Sequence, residues 1–396
     1  MHRTAIAHIS GPDRPGVLAA LMDVLERQGA DVLDVEQITI RGRLLLSVAL
    51  RIPDGQDPFK ELLYYGWERG LQVDFQIVDD GDDVTLVGGQ RHAITLLGAE
   101  LGPAAFAAAA AAVAACDANI DRITCLAHYP VEAYELIVSS TDIAPIRAGL
   151  VAASRTHRFD VAVQREGLGR RALRLVALDV DSTLIQDEVI ELLADACGCR
   201  DEVAAVTARA MAGELDFEES LRARVALLAG LDAHVIEEAR SRLRLTPGAR
   251  TFVRTLQRLG FRTMIVSGGF TPFTDHLRAE LGIDHAFANE LEIVDGRLTG
   301  RVVGPVVDRR RKAAILREVA AAEGIDLAQT VAVGDGANDL EMLAAAGLGV
   351  AFNAKPVVQD AADTSVSVPY LDAILFVLGI RRGDVVAADL AEPTGN

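Results

Sequence analysis

The sequence predicts an α/β protein in which a doubly wound parallel sheet with a helical cap follows two smaller α+β domains of the ferredoxin-like type. The first observation behind this prediction is a βαββαβ order of periodic segments that occurs twice before residue 165. The second is the alternation of short apolar runs with helical patterns from 166 to 383. The third is a stretch from about 187 to 246 that is rich in Ala, Glu, Leu and Arg and has no strand signal.

These patterns divide the chain into a first domain at 1–84, a second at 85–165, a third at 166–383 and a loose tail at 384–396. The first copy of the repeat predicts strands at 4–10, 32–40, 43–52 and 71–78, and helices from Pro15-Gly16 to 28 and at 58–69. The second predicts strands at 93–98, 119–127, 133–139 and 160–164, and helices at 104–116 and 143–157. The polar, glycine-containing segment 164–171 is expected to be a linker.

In the third domain, the apolar run Leu175–Leu178 predicts a buried strand of a parallel sheet. The helical stretch at 187–246 is expected to be the cap. Beyond it, the sequence predicts a helix from Pro247-Gly248 to 259, a strand at 262–266, a helix at 312–323 and a strand at 330–333.

The chain of 396 residues has a formal net charge of −18, which argues against a nucleic acid or an anionic membrane as partner. No segment reaches the roughly 18 apolar residues of a membrane span, and the first residues lack the apolar core of a signal peptide. We therefore expect a cytoplasmic protein. Its four cysteines, Cys116, Cys125, Cys197 and Cys199, are expected to be reduced thiols.

Two acidic residues, Asp179 and Asp181, directly follow the strand 175–178, and Val180 lies between them. In open α/β sheets, ligands bind at the carboxyl ends of the strands, so both carboxylates should face a crevice while Val180 points away. Taken alone, Asp-Val-Asp-Ser-Thr could equally be a helix-capping turn. Three further polar motifs also lie next to apolar runs, in the order along the chain that would bring them to the same edge of the sheet. They are Ser267-Gly268-Gly269, Lys312 and the segment Gly334–Asp339.

Together these four motifs resemble those of the haloacid-dehalogenase-like phosphohydrolases. The resemblance implies cleavage of a phosphate ester, with Asp179 as the nucleophile that forms an aspartyl-phosphate and Asp181 as the acid and then the base. Ser267, Gly268 and Gly269 would hold phosphate oxygens, and Lys312 would bridge nucleophile and phosphoryl group. Without its neighbours, Lys312 would be assigned to the solvated surface.

The resemblance also implies a Mg²⁺ site, which suits an all-oxygen set of ligands. Asp179 and Asp335 would supply carboxylate oxygens and Asp181 its backbone carbonyl. Asp339 would contact the ion only through water or another ligand, and Asn338 would bond to the substrate. A helix-capping turn is the alternative interpretation of Gly334–Asp339.

The cap resembles that of the phosphoserine phosphatases within this superfamily, in the segment Asp187–Ile190 and in the segment Met211–Val225. This implies O-phospho-L-serine as substrate, with Glu188 at its ammonium and Arg224 at its carboxylate. Met211 and Phe217 would close an apolar lid. The alternative is that the two charged residues form surface ion pairs and that the two apolar ones belong to the cap core.

The two preceding domains resemble ACT domains, which bind amino acids and regulate attached enzymes. The first copy carries the resemblance in Asp13-Arg14-Pro15-Gly16-Val17-Leu18, so Asp13 and Gly16 are the expected site of an amino-acid effector, L-serine above all. Ala104 replaces the glycine in the second copy, which makes binding there doubtful. The resemblance further implies a homodimer through these domains.

Three other activities are alternatives for the same residues. An amino-acid sensor whose third domain binds a phosphorylated ligand without turning it over would not need both Asp179 and Asp181. A phosphotransferase or a protein phosphatase would use the same chemistry on another acceptor or substrate.

Overall fold

In the computed structural model, which describes residues 3–78 and 90–391, the first unit of the chain (1–88) contains a four-stranded antiparallel sheet with two helices on one face. Its elements are β1 (Arg3–Pro12), α1 (Val17–Arg27), β2 (Asp31–Ile40), β3 (Arg43–Ile52), α2 (Phe59–Arg69) and β4 (Gln72–Val78), with the sheet order β2-β3-β1-β4. Alternate residues of β3 bury Leu46 and Leu50 in one core with Leu21 and Leu25 of α1. This unit is the predicted ferredoxin-like domain, called module 1 below.

The second unit (89–396) begins with the same arrangement, called module 2. Its elements are β5 (Gln90–Gly98), α3 (Pro103–Ala114), β6 (Asn119–Ala127), β7 (Glu132–Ser140), α4 (Ala144–His157) and β8 (Asp160–Arg165), with the order β6-β7-β5-β8. One face of this sheet packs on α3 and α4. The other face contributes Leu97, Ala133 and Ala162 to the core of the third domain, so module 2 and that domain share a packed interface.

The third domain contains a seven-stranded sheet in the order β12-β11-β10-β9-β13-β14-β15. Its strands are β9 (Leu175–Leu178), β10 (Arg262–Phe270), β11 (His285–Val294), β12 (Arg297–Val303), β13 (Thr330–Gly334), β14 (Leu348–Phe352) and β15 (Thr364–Val366). Neighbouring strands are parallel except for the edge pair β11 and β12. Buried apolar clusters lie against both faces, as a doubly wound sheet requires.

The helices of the third domain divide into a cap and a group that packs around the sheet. Four helices form the predicted cap, namely α6 (Val189–Cys197), α7 (Arg200–Met211), α8 (Phe217–Ala226) and α9 (His234–Arg240). The others are α5 (Leu168–Arg171), α10 (Ala249–Arg258), α11 (Thr271–Leu281), α12 (Arg309–Ala322), α13 (Leu340–Ala345), α14 (Pro356–Gln359), α15 (Ile374–Val377) and α16 (Arg382–Ala391). The chain enters and leaves the cap side by side, where Asp187 forms an ion pair with Arg244 at 2.6 Å.

Two segments differ from the prediction because distant partners order them. The expected linker contains α5, and the largely buried Arg170 donates to Glu135 of β7 at 2.5 Å and to the carbonyl of Val377 at 3.2 Å. The prediction of a loose tail is wrong for residues 384–391, which lie in α16. There Val385 is buried and Asp389 pairs with Arg258 at 2.5 Å. Residues 392–396 lie outside the described residues.

The cysteine prediction is wrong for one pair, because Cys197 and Cys199 form a disulfide at the end of α6, whereas Cys116 and Cys125 are free thiols. Within residues 3–78 and 90–391, no helix has both the length and the apolar character that a membrane span requires.

Candidate active site

The polar motifs of the third domain meet because three neighbouring parallel strands end at one edge of the sheet. Leu178 of β9 pairs with Ile265 of β10 on one side and with Val333 of β13 on the other. Asp179 therefore follows the central strand, Asp335 directly follows β13, and Ser267 lies in β10 just past its regularly paired part, which ends at Val266. Val180 is fully buried in the core behind them, which is the direction expected for a residue between two outward carboxylates.

A buried ion-pair network occupies the floor of this crevice. Lys312 Nζ lies 2.6 Å from Asp179 Oδ1 and 2.8 Å from Asp339 Oδ1, and all three side chains are buried. Burial raises the pKa of Asp179 well above its ordinary value, and the nearby Asp339 carboxylate adds to this effect. Burial lowers the pKa of Lys312, but the two carboxylates outweigh it, so the net shift is upward and the lysine stays charged.

Three carboxylates, those of Asp179, Asp335 and Asp339, lie within 4.8 Å of one another. Burial, and then repulsion by Asp339, raise the pKa of Asp335 to about 6, although it accepts a hydrogen bond from the Thr183 hydroxyl at 3.2 Å. One lysine does not balance this concentration of negative charge. A hard divalent cation with oxygen ligands fits the donor set.

Asp181 is also enclosed, and it contacts neutral donors. Its carboxylate accepts from the backbone N–H of Val189 at 2.7 Å and from the hydroxyl of Ser267 at 2.9 Å. Burial raises its pKa, against the effect of these hydrogen bonds. Such a carboxyl holds a proton to higher pH than a solvated aspartate, as a general acid must.

The loop Ser267-Gly268-Gly269 is held close to Asp181. The Ser267 hydroxyl accepts from the N–H of Gly269 at 2.7 Å. A Cβ atom at Gly269 would lie 2.9 Å from Ser267 Oγ and 3.1 Å from Asp181 Oδ2, so the close approach of the backbone requires glycine here.

Asn289, at the end of the parallel part of β11, is a site residue that sequence reasoning missed. Its amide donates to the carbonyls of Gly268 at 2.8 Å and Gly269 at 3.2 Å, and its oxygen accepts from the N–H of Val307 at 2.8 Å. It is fully buried and so joins the Ser267 loop to the segment that precedes Lys312. A polar residue inside the apolar run from Ala286 was the signal that could have identified it.

Replacing Asn289 should therefore disturb both motifs. If the motifs cleave a phosphate ester, as their resemblance implies, Asn289→Ala should lower kcat/KM about 10- to 100-fold, the range that small misplacements cause. Asn289→Asp keeps the oxygen that accepts from Val307 but loses the amide that donates to Gly268 and Gly269. Inhibition by inorganic phosphate should therefore be weaker in Asn289→Asp than in the unaltered enzyme. Steady-state kinetics with phosphate as inhibitor measures this. Thr255→Val, at another buried polar residue, is the matched control; a loss of thermal stability with unchanged kinetics would contradict the positioning role.

A cavity of about 340 Å³ lies above these groups, between the sheet and the cap. Its lining includes Asp179, Asp181, Gly268, Gly269, Asp335 and Asn338 from the sheet side and Glu188, Phe217 and Arg224 from the cap side. Thr207 and Leu221 of the cap also line it, and the sequence analysis had not identified them. The side chain of Met211 lies outside the described part of the structure.

Glu188 and Arg224 bring opposite charges to this small cavity. The hydroxyl of Ser182, a residue with φ of 58°, donates to Glu188 at 2.8 Å. Burial raises the pKa of Glu188 to about 7, with a further contribution from Asp181. Burial lowers the pKa of Arg224, whose Nε donates to the Ser220 carbonyl at 3.3 Å. These hydrogen-bond partners of Glu188 and Arg224 are neutral, a hydroxyl and a backbone carbonyl. The cavity therefore suits a ligand that carries both a positive and a negative charge.

A second cavity, of about 380 Å³, lies in module 1 at the predicted effector loop. Asp13, Gly16 and Gln37 line it, and Asp13 accepts a hydrogen bond from Thr39 at 3.0 Å. Gly16 has φ of 87° and directly precedes α1, so the backbone turns here in a conformation that favours glycine.

Comparison with known proteins is consistent with this arrangement. Residues 176–344 match the model of the haloacid dehalogenase-like hydrolases, and residues 3–76 and 90–164 each match an ACT domain model. A phosphoserine phosphatase of Streptomyces coelicolor is 54% identical over 395 residues, which cover 99% of this chain and 96% of that protein.

Two solved structures are similar as well. The probable phosphoserine phosphatase of Vibrio cholerae is 36% identical with a TM-score of 0.59, and the match covers 76% of this chain and 89% of that one. A phosphoserine phosphatase described as a phospho-aspartyl intermediate analogue is 42% identical with a TM-score of 0.50, over 53% of this chain and 99% of that one. The chain therefore has two ACT domains followed by a domain that hydrolyses phosphoric monoesters. It belongs to the phosphoserine phosphatase family of haloacid dehalogenase-like hydrolases.

Proposed function

We propose that this enzyme hydrolyses O-phospho-L-serine to L-serine and phosphate, in a Mg²⁺-dependent reaction through an aspartyl-phosphate. The observation that carries the proposal is one small cavity with Asp179 and Asp181 at its floor and Glu188 and Arg224 at its cap side, while the buried Lys312 pairs with Asp179 at 2.6 Å. The floor supplies phosphoryl chemistry. The two cap residues offer an anion and a cation to an α-amino acid.

In the first step, Asp179 attacks phosphorus. Its Oδ1 accepts from Lys312 at 2.6 Å and from the N–H of Val180 at 2.8 Å, so we assign the attack to Oδ2. The new bond joins this oxygen to phosphorus while the bond from phosphorus to the serine oxygen breaks. Asp181 gives its proton to that leaving oxygen, and serine departs as the alcohol.

In the second step, water attacks phosphorus in the aspartyl-phosphate. Asp181, now ionised, takes a proton from this water, and the bond between phosphorus and Asp179 breaks to release phosphate. The raised pKa of Asp181 serves both steps, because the carboxyl is protonated when serine leaves and regains its proton from water. Ser267 and the amides of Gly268 and Gly269 hold the phosphate oxygens.

The metal would be held by carboxylate oxygens of Asp179 and Asp335 and by the backbone carbonyl of Asp181. Asp339 is suited to an indirect role, since its two oxygens already accept from Lys312 and from the N–H of Gly336 at 3.0 Å. When bound, Mg²⁺ supplies positive charge that stabilises the phosphoryl oxygens.

Substrate recognition uses both charges of the amino acid. Arg224 would pair with the carboxylate and Glu188 with the ammonium, while Phe217 would form the apolar side of the lid and Asn338 would donate to the phosphate. A D-amino acid presents these groups in the wrong arrangement around the α-carbon. We therefore expect selectivity for the L-enantiomer.

Phosphate release by the purified full chain tests this function. We expect rapid release from O-phospho-L-serine with Mg²⁺, loss of turnover when EDTA removes the metal, and slower release from the D-enantiomer. Turnover that survives EDTA would contradict the metal assignment. Release from an aryl phosphate alone would reject the substrate, and transfer of phosphate to an added alcohol would indicate a phosphotransferase.

Regulation would begin at the module 1 loop, where Asp13 and Gly16 line a cavity suited to an amino acid such as L-serine. Gly16→Val should abolish the effect of L-serine on turnover while basal activity stays unchanged, because valine strains the turn at φ of 87°. Turnover measured across L-serine concentrations tests this. Gly55→Val, at φ of 83° and equally open to solvent, is the matched control. If Gly16→Val responds to L-serine as the unaltered enzyme does, the loop at Asp13 and Gly16 does not bind the effector.

We also propose a cytoplasmic homodimer that forms through the ACT domains. The edge strand β2 is exposed along its whole length and includes Val35, Ile38 and Ile40, and an open edge is a template for pairing with another chain. Sedimentation of the full chain tests this assembly; a monomer at micromolar concentration would contradict it.

A further inference from the structure

A large cavity lies between module 2 and the phosphatase domain, far along the sheet from the catalytic strand tips. We call it the seam cavity. It measures about 600 Å³, within the range of small-molecule sites, and the end of α4, the start of β8 and the segment around β15 enclose it. Val151, Val161 and Val368 give it an apolar wall. The sheet order places β13 and β14 between β9 and β15.

The seam cavity holds positive charge that the protein does not neutralise. Arg158 ends α4 with φ of 56°, and within residues 3–78 and 90–391 no carboxylate forms an ion pair with it. Among the described residues, Arg147 donates to two backbone carbonyls, those of Val163 at 2.8 Å and Asp363 at 3.3 Å, and to no carboxylate. Neither of these two guanidinium groups forms an ion pair with a carboxylate of the described residues, in a chain with a net charge of −18.

The same cavity holds a negative charge that lacks a cation. Asp160 accepts from the N–H of Ser367 at 2.6 Å, and no basic side chain of the described residues pairs with it. Burial raises its pKa to about 6, as expected for a carboxylate whose partners are neutral. Asp360 is different, since it already pairs with Arg155 at 2.5 Å, and Asp363 accepts from the N–H of Gly349 at 2.8 Å.

Arg158 and Asp160 do not pair with each other, although only Phe159 separates them and both line the cavity. We propose that the seam cavity binds a small zwitterionic α-amino acid, with the ligand carboxylate on Arg158 and the ligand ammonium on Asp160. A simple anion would satisfy the arginine but face the carboxylate. A ligand with both charges satisfies both, and its side chain would lie on the valine wall.

The seam cavity shares no lining residue with the active site or with the cavity at the module 1 loop. Because residues of module 2 and of the phosphatase domain both line the cavity, a ligand there would hold the two together. It would stabilise the folded chain in proportion to its occupancy.

Binding is tested in the full chain with both other amino-acid sites disabled, as the double variant Gly16→Val and Arg224→Ala. Isothermal titration uses L-serine, glycine and the other neutral amino acids as probes. We expect at least one to bind at one site per chain. L-serine methyl ester, which lacks the carboxylate, and glycerate, which lacks the ammonium, should each bind at least about tenfold more weakly than L-serine, the loss expected for one charge-assisted pair.

Variants of the cavity provide a second arm. Arg158→Gln and Asp160→Asn should each weaken binding about tenfold or more, and asparagine keeps an acceptor for Ser367 so that the fold is preserved. Arg122→Gln and Asp117→Asn, at exposed residues of module 2 outside the cavity, are the matched controls and should bind normally. The proposal is overturned if no amino acid binds, if glycerate or inorganic phosphate binds as tightly as L-serine, or if the cavity variants behave like the controls.

Discussion

Asp179→Asn is expected to abolish turnover of O-phospho-L-serine. Asparagine preserves the size of the side chain but cannot form the aspartyl-phosphate, and loss of a covalent nucleophile lowers kcat by about four to six orders of magnitude. Thermal stability should change little, because asparagine keeps an oxygen that can accept from Lys312 and Lys312 keeps its ion pair with Asp339 at 2.8 Å. Phosphate release and a melting curve on the same sample test both expectations.

The matched control for this variant is Asp326→Asn. Asp326 caps a short helical turn outside the cavity, where it accepts from the N–H of Ala328 at 2.9 Å. Its replacement should leave turnover unchanged. Ordinary turnover in Asp179→Asn would mean that another group attacks phosphorus.

Arg224→Ala is expected to impair recognition of the amino acid rather than the phosphoryl chemistry. Loss of a bidentate, partly buried pair with the substrate carboxylate should lower kcat/KM for O-phospho-L-serine about 100-fold or more, mainly through KM. An aryl phosphate has no such carboxylate, so its kcat/KM should change little. Steady-state kinetics on both substrates gives the comparison.

Arg222→Ala is the control on the same helix, because Arg222 pairs with Glu218 at 2.7 Å and does not line the cavity. It should behave like the unaltered enzyme with both substrates. Equal losses on the two substrates in Arg224→Ala would reject the carboxylate assignment and indicate a role in the shape of the cap.

Local patterns were sufficient for much of the fold. The apolar run 175–178 and the acids after it predicted both a buried strand and the direction of Asp179, because strand ends in a parallel sheet fix that geometry. The two βαββαβ copies were predicted with their boundaries within a few residues. Strand β15 has only three residues, too few for any periodicity, and its place at the sheet edge depends on β14.

Contacts between distant residues account for the rest. Nothing near residue 389 indicates a partner at Arg258, so the last helix was expected to be a loose tail. In the same way, Arg170 lies in a segment that looks like a polar linker. It is buried because it forms an ion pair with Glu135, which lies in β7 of module 2 and is 35 residues earlier in the chain. The place of Asn289 in an apolar run marks it as unusual, but its partners Gly268 and Gly269 lie 20 to 21 residues earlier in the chain, and local pattern does not identify them.

The most direct test of the central claim is to detect phosphate on Asp179 itself. The full chain is mixed with O-phospho-L-serine and Mg²⁺, quenched in acid within milliseconds, digested and examined by mass spectrometry. We predict that the peptide containing Asp179 gains the mass of one phosphoryl group during turnover and that the Asp326→Asn control does the same. Rapid phosphate release with no phosphorylated peptide, or with phosphate on another residue, would contradict the account.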